Sequence, residues 1–247
     1  MKSVVSKCEM EEGLKKLGIR AGMPLEVHCA LGQFGRVEGG AATVIEALMN
    51  VLGRDGAIVM PSFRLSENLP LDETDRQLGL VCKIRILPED AEKTGMGVVS
   101  DTFRKRQDVI TGKDVFRMSA WGKDAQKHAQ GLHHLIEMDG WALLAGVDIY
   151  RLSAMHYVED VLPGAVRERF AVSAEARARY PEGEWLVEAW APEAKPWYTI
   201  QNAAYEKGLI RDGMIGNAKC MLLRVRPVIA LYRQALLKDP LGLYGLA

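Results

Sequence analysis

Two short runs that are apolar at every position, Ala57 to Met60 (AIVM) and Trp141 to Val147 (WALLAGV), constrain this chain more than any other feature. A strand with water on one face alternates apolar and polar residues, so runs like these suit strands covered on both faces. Pro24 to Ala30 (PLEVHCA) is a third short β-like run. Between them lie helical patterns. Glu9 to Leu17 is stopped by Gly18, and Thr43 to Leu52 sets Val44, Ala47, Leu48 and Val51 on one face before Gly53 ends it. Helices alternating with doubly covered strands predict a three-layer α/β/α sandwich around a central mixed sheet. At 247 residues and 48% hydrophobic content the chain can bury one large core, and a single domain over residues 1–247 is expected.

Further along, Ala125 to Leu135 and Asn217 to Leu237 read as helices, the second kinked or split at Pro227. Glu184 to Trp190 (EWLVEAW) alternates as a half-exposed strand does. Leu65 to Glu92 is polar and irregular and follows directly on AIVM, the position expected of a substrate wall.

Charge narrows the partners. Thirty-two basic residues balance thirty-two acidic ones, so no net field points to a nucleic acid or an anionic membrane, and the ligand must be recognised locally. Cys8, Cys29, Cys82 and Cys220 are far apart without zinc spacing, which predicts reduced thiols in a cytoplasmic protein and no metal. The first residues carry charges where a signal peptide needs its apolar stretch, and no run of about eighteen apolar residues occurs, so no membrane association is expected.

The stretch VHCALGQFGRVEGG, from Val27, ends a strand in a glycine-bearing turn that opens into a helix. Free N–H groups at a positive dipole end suit a phosphate. Neither GxxxxGK[ST] nor GxGxxG is present. Arg36-Val37-Glu38-Gly39-Gly40-Ala41 fits the R-x-x-G-x-A loop of the GCN5-like acetyltransferases, whose domains are typically much shorter.

A longer resemblance lies outside that loop. VHCALGQFGRVEGGAATVIEALMNVLGRDGAIVMPSF, GMGVVSDTFRKR, MSAWGKDA, LLAGVDIYRLSAMHYVE and IGNAKCMLLRVRPVIALYRQAL occur in the order and approximate spacing of the aminoglycoside 3-N-acetyltransferase family. The chain resembles that family over nearly its whole length. The resemblance implies an α/β/α fold unrelated to the GCN5-like one and transfer of acetyl from acetyl-coenzyme A, as co-substrate, to an amine of an aminocyclitol antibiotic. It also implies that the cofactor's pyrophosphate and pantetheine lie at His28, Cys29, Ala30 and Leu31, where the family usually reads His-Ser-Ser-Leu. Two hydroxyls are missing here, but backbone N–H groups remain to form a nest. A second cofactor stretch, Arg-Ser-x-His-Pro in the family, corresponds to Ile110 to Asp114, which puts Lys113 at its histidine. Ser119 opens the match to the family's Ala-Ala-Trp-Gly and is also assigned to the cofactor.

Acetyl transfer to an amine needs a group that takes a proton as nitrogen attacks, and neutral imidazole serves near pH 7. His156, in SAMHYVED, falls on the family's Asn-Thr-x-x-His-x-x-Glu motif with Glu159 at its glutamate, while Leu152-Ser153 replaces Asn-Thr. On a helix, His156, Glu159 and Asp160 would share a face, and a carboxylate there could orient the ring or grip a cationic acceptor. A His-x-x-Glu metal site lacks further ligands. His133 and His134 read as surface residues and His128 as a helix flank. The expected acceptor is a small cationic amine, held by carboxylates. Glu67 and Asp101 match acidic positions of the family, Glu159 is counted with them, and Glu188 is the expected partner of His156 in catalysis. Two alternatives stay open: a metabolic or cell-envelope amino sugar as acceptor, or a degenerate relative that binds coenzyme A or a cationic ligand without chemistry. The protein is expected to act as a monomer or homodimer.

Overall fold

The computed structural model describes residues 4–190 and 196–247. The strands among them are β1 (Val4–Val5), β2 (Pro24–Cys29), β3 (Arg36–Val37), β4 (Ala57–Pro61), β5 (Cys82–Arg85), β6 (Ile110–Thr111), β7 (Met118–Gly122), β8 (Trp141–Ala145), β9 (Trp185–Glu188), β10 (Ile210–Ile215) and β11 (Ala218–Arg224). The helices are α1 (Lys7–Leu17), α2 (Ala41–Leu52), α3 (Glu73–Gln77), α4 (Val98–Arg104), α5 (Ala125–His128), α6 (His133–Glu137), α7 (Gly164–Phe170), α8 (Ala174–Arg179), α9 (Pro196–Glu206), α10 (Val225–Lys238) and α11 (Pro240–Leu243), with 3-10 turns at Leu31–Phe34, Ile149–Arg151 and Ser153–Val161.

Seven strands form a mixed sheet in the order β10-β11-β8-β2-β4-β7-β6. Its middle strands β8, β2 and β4 run parallel, and the flanking pairs are antiparallel. Successive side chains on a strand point to opposite faces, and both faces are covered. Leu25, Val27, Ile58, Met60, Leu143 and Leu222 pack with Met10, Leu14, Val44, Leu48 and Phe103 of α1, α2 and α4. Val59, Ala142, Leu144, Met221 and Leu223 face the other way, toward Met155, Ile200, Val228 and Tyr232. Double coverage is why β4 and β8 are apolar throughout. A separate two-stranded sheet joins β5 to β9 over a small cluster of Leu80, Ala176, Tyr180 and Val187.

Local signals set several boundaries. Ser6 and Glu9 close a capping box at the start of α1, and Gly18, with φ of 109°, ends it in a conformation that costs glycine little. Three expectations are corrected. Residues 125–135 form two short helices, α5 and α6, separated at Gly131 (φ 135°), where a left-handed backbone breaks helical continuity. Residues 218–224 are strand β11, inserted between β10 and β8, because an all-apolar CMLL run is buried on both faces there. Pro227 is then the third residue of α10, where an amide has no intrahelical partner to lose, so no kink follows. Residues 65–92 are not irregular: they hold α3 and β5. No helix among the described residues is long and apolar enough to cross a membrane.

Candidate active site

The chain leaves β2 through α2 on one face of the sheet to reach β4, while β8, on the other side of β2, leads into turns that pack on the opposite face. Such a switch opens a crevice at the carboxyl ends of the strands, the usual ligand position in sheets of this kind. A cavity of about 330 Å³ lies there, within the range of small-molecule sites. Val27 to Ala30 from the end of β2, Met60 and Pro61 from β4, and Arg151 and Ser153 beyond β8 contribute to its wall. Gly95 to Gly97, His156 and Trp197 complete the rim.

His156 sits in the 3-10 turn Ser153–Val161, with its Nδ1 2.7 Å from Glu159 Oε2 and its ring edge-on to Trp197 at 4.8 Å between centroids. A 3-10 turn has three residues per revolution, so positions i and i+3 eclipse and i+4 turns away. That corrects the expected three-residue face: Glu159 meets the histidine, while Asp160 pairs with Arg233 at 2.9 Å. The other oxygen of Glu159 accepts a hydrogen bond from Tyr232 Oη at 3.1 Å, and Tyr232 and Tyr244 hydroxyls lie 2.7 Å apart. Burial pushes the Tyr244 phenol up to about 12 and raises that of Tyr232 as well, so both remain neutral donors. Since an ionised carboxylate only accepts, a ring bonded to it presents Nδ1–H to Glu159, and in its neutral form that leaves the lone pair on Nε2.

A second pair lies in the wall. Glu26 and His28 are two apart on β2 and therefore share a face. His28 Nε2 is 2.7 Å from Glu26 Oε1, to which the amide of Ala154 also donates at 3.3 Å. The Ser153 amide donates to His28 Nε2 at a long 3.4 Å. Glu26 is fully buried, and among the described residues its Oε2 has no partner.

The residues picked from the sequence divide clearly. His28, Cys29, Ala30 and His156 line the cavity. Leu31 opens the 3-10 turn just past it, where the first amides of the turn are left over by its own hydrogen bonding. Burial pushes the Cys29 thiol up to about 12, so a thiolate is disfavoured there. Glu188, at the end of β9, is half-buried beside His156 and Glu159, and burial raises its carboxyl.

The remaining choices are not brought to the cavity wall. Lys113 is exposed on the segment after β6. Ser119 is fully buried, donating to Ser62 Oγ at 2.7 Å, in a hydroxyl chain that reaches Thr111 on one side and Ser100 on the other. Glu67 is exposed between β4 and β5. Asp101 is buried and spent on internal partners: it accepts from Thr94 N at 2.9 Å, Thr94 Oγ1 at 3.1 Å and Arg104 Nε at 2.9 Å. It thereby anchors the segment that supplies Gly95 to Gly97, a positioning task instead of acceptor contact. Residues 65–92 contribute no wall residue among those described. His128 is buried, not flanking, while His133 is exposed and His134 is partly covered.

Wall groups such as Tyr150, Arg151 and Trp197 carry no signal in the sequence reading, and that reading does not single out Glu26, buried beneath His28. Only Glu26 left a signal, a lone carboxylate inside an otherwise apolar strand, two residues before a histidine.

The sequence model described as aminoglycoside 3-N-acetyltransferase matches residues 27–236. Aminoglycoside N(3)-acetyltransferase IV of Salmonella sp is 28% identical over 252 residues, covering 95% of this chain and 88% of the relative. The SPbeta prophage-derived aminoglycoside N(3')-acetyltransferase-like protein YokD of Bacillus subtilis (strain 168) is 25% identical over 253 residues, covering 91% and 89%. Among solved structures, apo AAC(3)-IVa matches with a TM-score of 0.72 at 24% identity over 99% of this chain and 92% of that one. AAC-IIIb, in a binary complex with CoASH, matches with a TM-score of 0.70 at 19% identity over 96% and 98%. At such identities the structural likeness establishes the fold.

Proposed function

The chain belongs to the aminoglycoside 3-N-acetyltransferase family, and we propose that it moves acetyl from acetyl-coenzyme A directly to an amine of an aminoglycoside or related amino sugar. The observation that carries this reading is the His156–Glu159 pair on the rim of a cavity whose wall is the end of β2. Glu159 holds the ring with Nε2 toward the acceptor side, where it takes the proton that the amine nitrogen loses as it bonds to the acyl carbon. The turn after β2 receives the cofactor through backbone amides. Placing thioester and amine in one cleft turns a bimolecular step into an effectively intramolecular one. Relatives support the two ligands: AAC-IIIb was solved with CoASH, AAC-VIa with sisomicin, and a variant of AAC(3)-IVa with apramycin. Glu188, close to His156, is the carboxylate best placed to meet an acceptor ammonium. Use of acetyl-coenzyme A fits a cytoplasmic enzyme.

One observation favours the second reading, an acceptor less cationic than an antibiotic. Among the described residues lining the cavity there is no Asp or Glu, and Arg151 is the permanent charge. Thiol release from acetyl-coenzyme A across aminoglycosides, neutral amino sugars and amino sugars carrying an anionic group decides between the acceptors.

The test of the chemistry is His156→Asn. It should lower kcat by about 10²–10⁴-fold while leaving the melting temperature and coenzyme A binding nearly unchanged, because an exposed ring is lost and the cofactor loop is untouched. Full activity in that variant would move the base elsewhere.

A further inference from the structure

The His156–Glu159 pair accounts for one proton of the transfer, and the reaction moves two. As the C–S bond breaks its electron pair stays on sulfur, and the product thiol holds a proton at neutral pH, so a donor at the sulfur lowers the barrier. We propose that His28 is that donor, with Glu26 as its positioning and charge-balancing residue, which makes this site a cleft with two histidine–carboxylate pairs of opposite duty. This role rests on the transfer reaction proposed above.

The geometry favours it on three grounds. His28 lines the cavity at the end of β2, on the turn assigned to the cofactor, and its side chain is 10% exposed. Its Nε2 is 2.7 Å from Glu26 Oε1 and meets the Ser153 amide only at a long 3.4 Å, while Nδ1 has no hydrogen-bond partner among the described residues, leaving that nitrogen for a ligand. Finally, Glu26 lies in an apolar layer, registered between Val59 and Ala142, and among the described residues no Lys or Arg is paired to it and one of its oxygens is orphaned. A buried carboxyl is costly unless a proton or a partner offsets its charge, and the ring of His28 is the group within reach to share one. When the ring holds that proton, Nε2–H faces Glu26 and Nδ1–H is left for the cleft.

The step balances. The amine nitrogen bonds to the acyl carbon and gives a proton to Nε2 of His156. The C–S bond breaks, and sulfur takes its proton from Nδ1 of His28. Amide and thiol are the products, and the two rings exchange their proton difference with solvent. Of the nearby hydroxyls, Ser100 Oγ is committed to the Pro61 carbonyl and Ser119 lies beneath Ser62. Ser153 and Tyr150 also line the wall, but a hydroxyl is a much weaker acid than a protonated imidazole.

The test compares leaving groups. His28→Asn and Glu26→Gln are assayed with acetyl-coenzyme A and with an acetyl ester of 4-nitrothiophenol, whose thiolate leaves without a proton. The expected result is a fall of about 10²-fold in kcat for His28→Asn with acetyl-coenzyme A, most of which disappears with the aryl thioester. Glu26→Gln should show a smaller loss with the same dependence on leaving group. A merely structural role slows both donors alike, and equal losses would overturn the donor assignment. Should His28→Asn fail to fold, Glu26→Gln decides by the same comparison. No thiol release from the unaltered protein with any amine overturns the transfer reaction and this role together, whereas release with leaving-group-independent losses overturns this role alone.

Discussion

Glu26 and Asp75 are both carboxylates with no solvent exposure, and the molecule treats them oppositely. Asp75 lies in α3 under the small sheet, where it accepts from Lys83 Nζ, from Tyr180 Oη and from the Asp72 amide at 2.9 Å, with Arg179 Nε 3.7 Å away. Glu26 has His28, one long amide contact and an empty oxygen. A buried charge with all its lone pairs engaged fixes a structure. One left half-satisfied beside a cavity contributes less to holding the fold, and under the role proposed for His28 it is kept for the reaction.

The largest effect that would break this contrast is on stability. Asp75→Ala strands Lys83 and Tyr180 without their partner and should cost about 3–5 kcal/mol by urea unfolding, with little change in the kcat of the folded fraction. Glu26→Gln should do the reverse, with a stability loss of about 1 kcal/mol and a clear loss of rate. If Asp75→Ala slows the reaction without unfolding the protein, the two carboxylates do not differ in kind.

An acid titration sharpens the same contrast with a smaller effect. Burial alone would raise the Asp75 carboxyl, but hydrogen bonds from Lys83 and Tyr180 outweigh it and hold it at about 2, against 3.8 for the free group. The folded value is the lower one, so the stabilisation is fully present above the unfolded value of 3.8 and is lost as pH falls through about 2. It amounts to roughly 2 kcal/mol. The stability gap between the unaltered protein and Asp75→Asn should therefore narrow by that amount from pH 5 to pH 2. A gap that stays constant over this interval would show that Asp75 is not held as a carboxylate.

The same contrast marks what the sequence could reveal. Strands β2, β4 and β8 and helices α1 and α2 were legible because apolar runs and helical periods report coverage on both faces directly. Strand β11 was not, since its CMLL run flows into α10 and a continuous apolar stretch carries no period to separate the two. His156 and Glu159 stand out only through the resemblance to the family's motif, whereas Asp160 needs the 3-10 geometry to be turned away. Glu67 and Asp101 match acidic positions of the family, and a matching charge does not say whether a carboxylate is exposed, as Glu67 is, or consumed, as Asp101 is. A single acidic residue in a strand such as Glu26 carries no signal of its own until its neighbour His28 is placed on the same face.

The smallest expected effect is the most discriminating, and it comes from Glu26→Leu. Val59 and Ala142 flank Glu26 in register, so a leucine meets an apolar layer of suitable size. The change gives up the bonds to His28 and to the Ala154 amide, and it also removes the cost of holding a carboxylate away from water with one oxygen unpaired. Replacing a poorly satisfied buried ion by an apolar group of similar volume is often neutral or favourable, so stability should move by no more than about 1 kcal/mol in either direction. The rate with acetyl-coenzyme A should nevertheless fall as it does for His28→Asn, because the ring has lost the charge that balances its proton. Stability kept and rate lost is the signature of a group retained for chemistry. A leucine variant that unfolds would place Glu26 with Asp75 among the structural anchors, and one that keeps its full rate would leave the orphaned oxygen without a use.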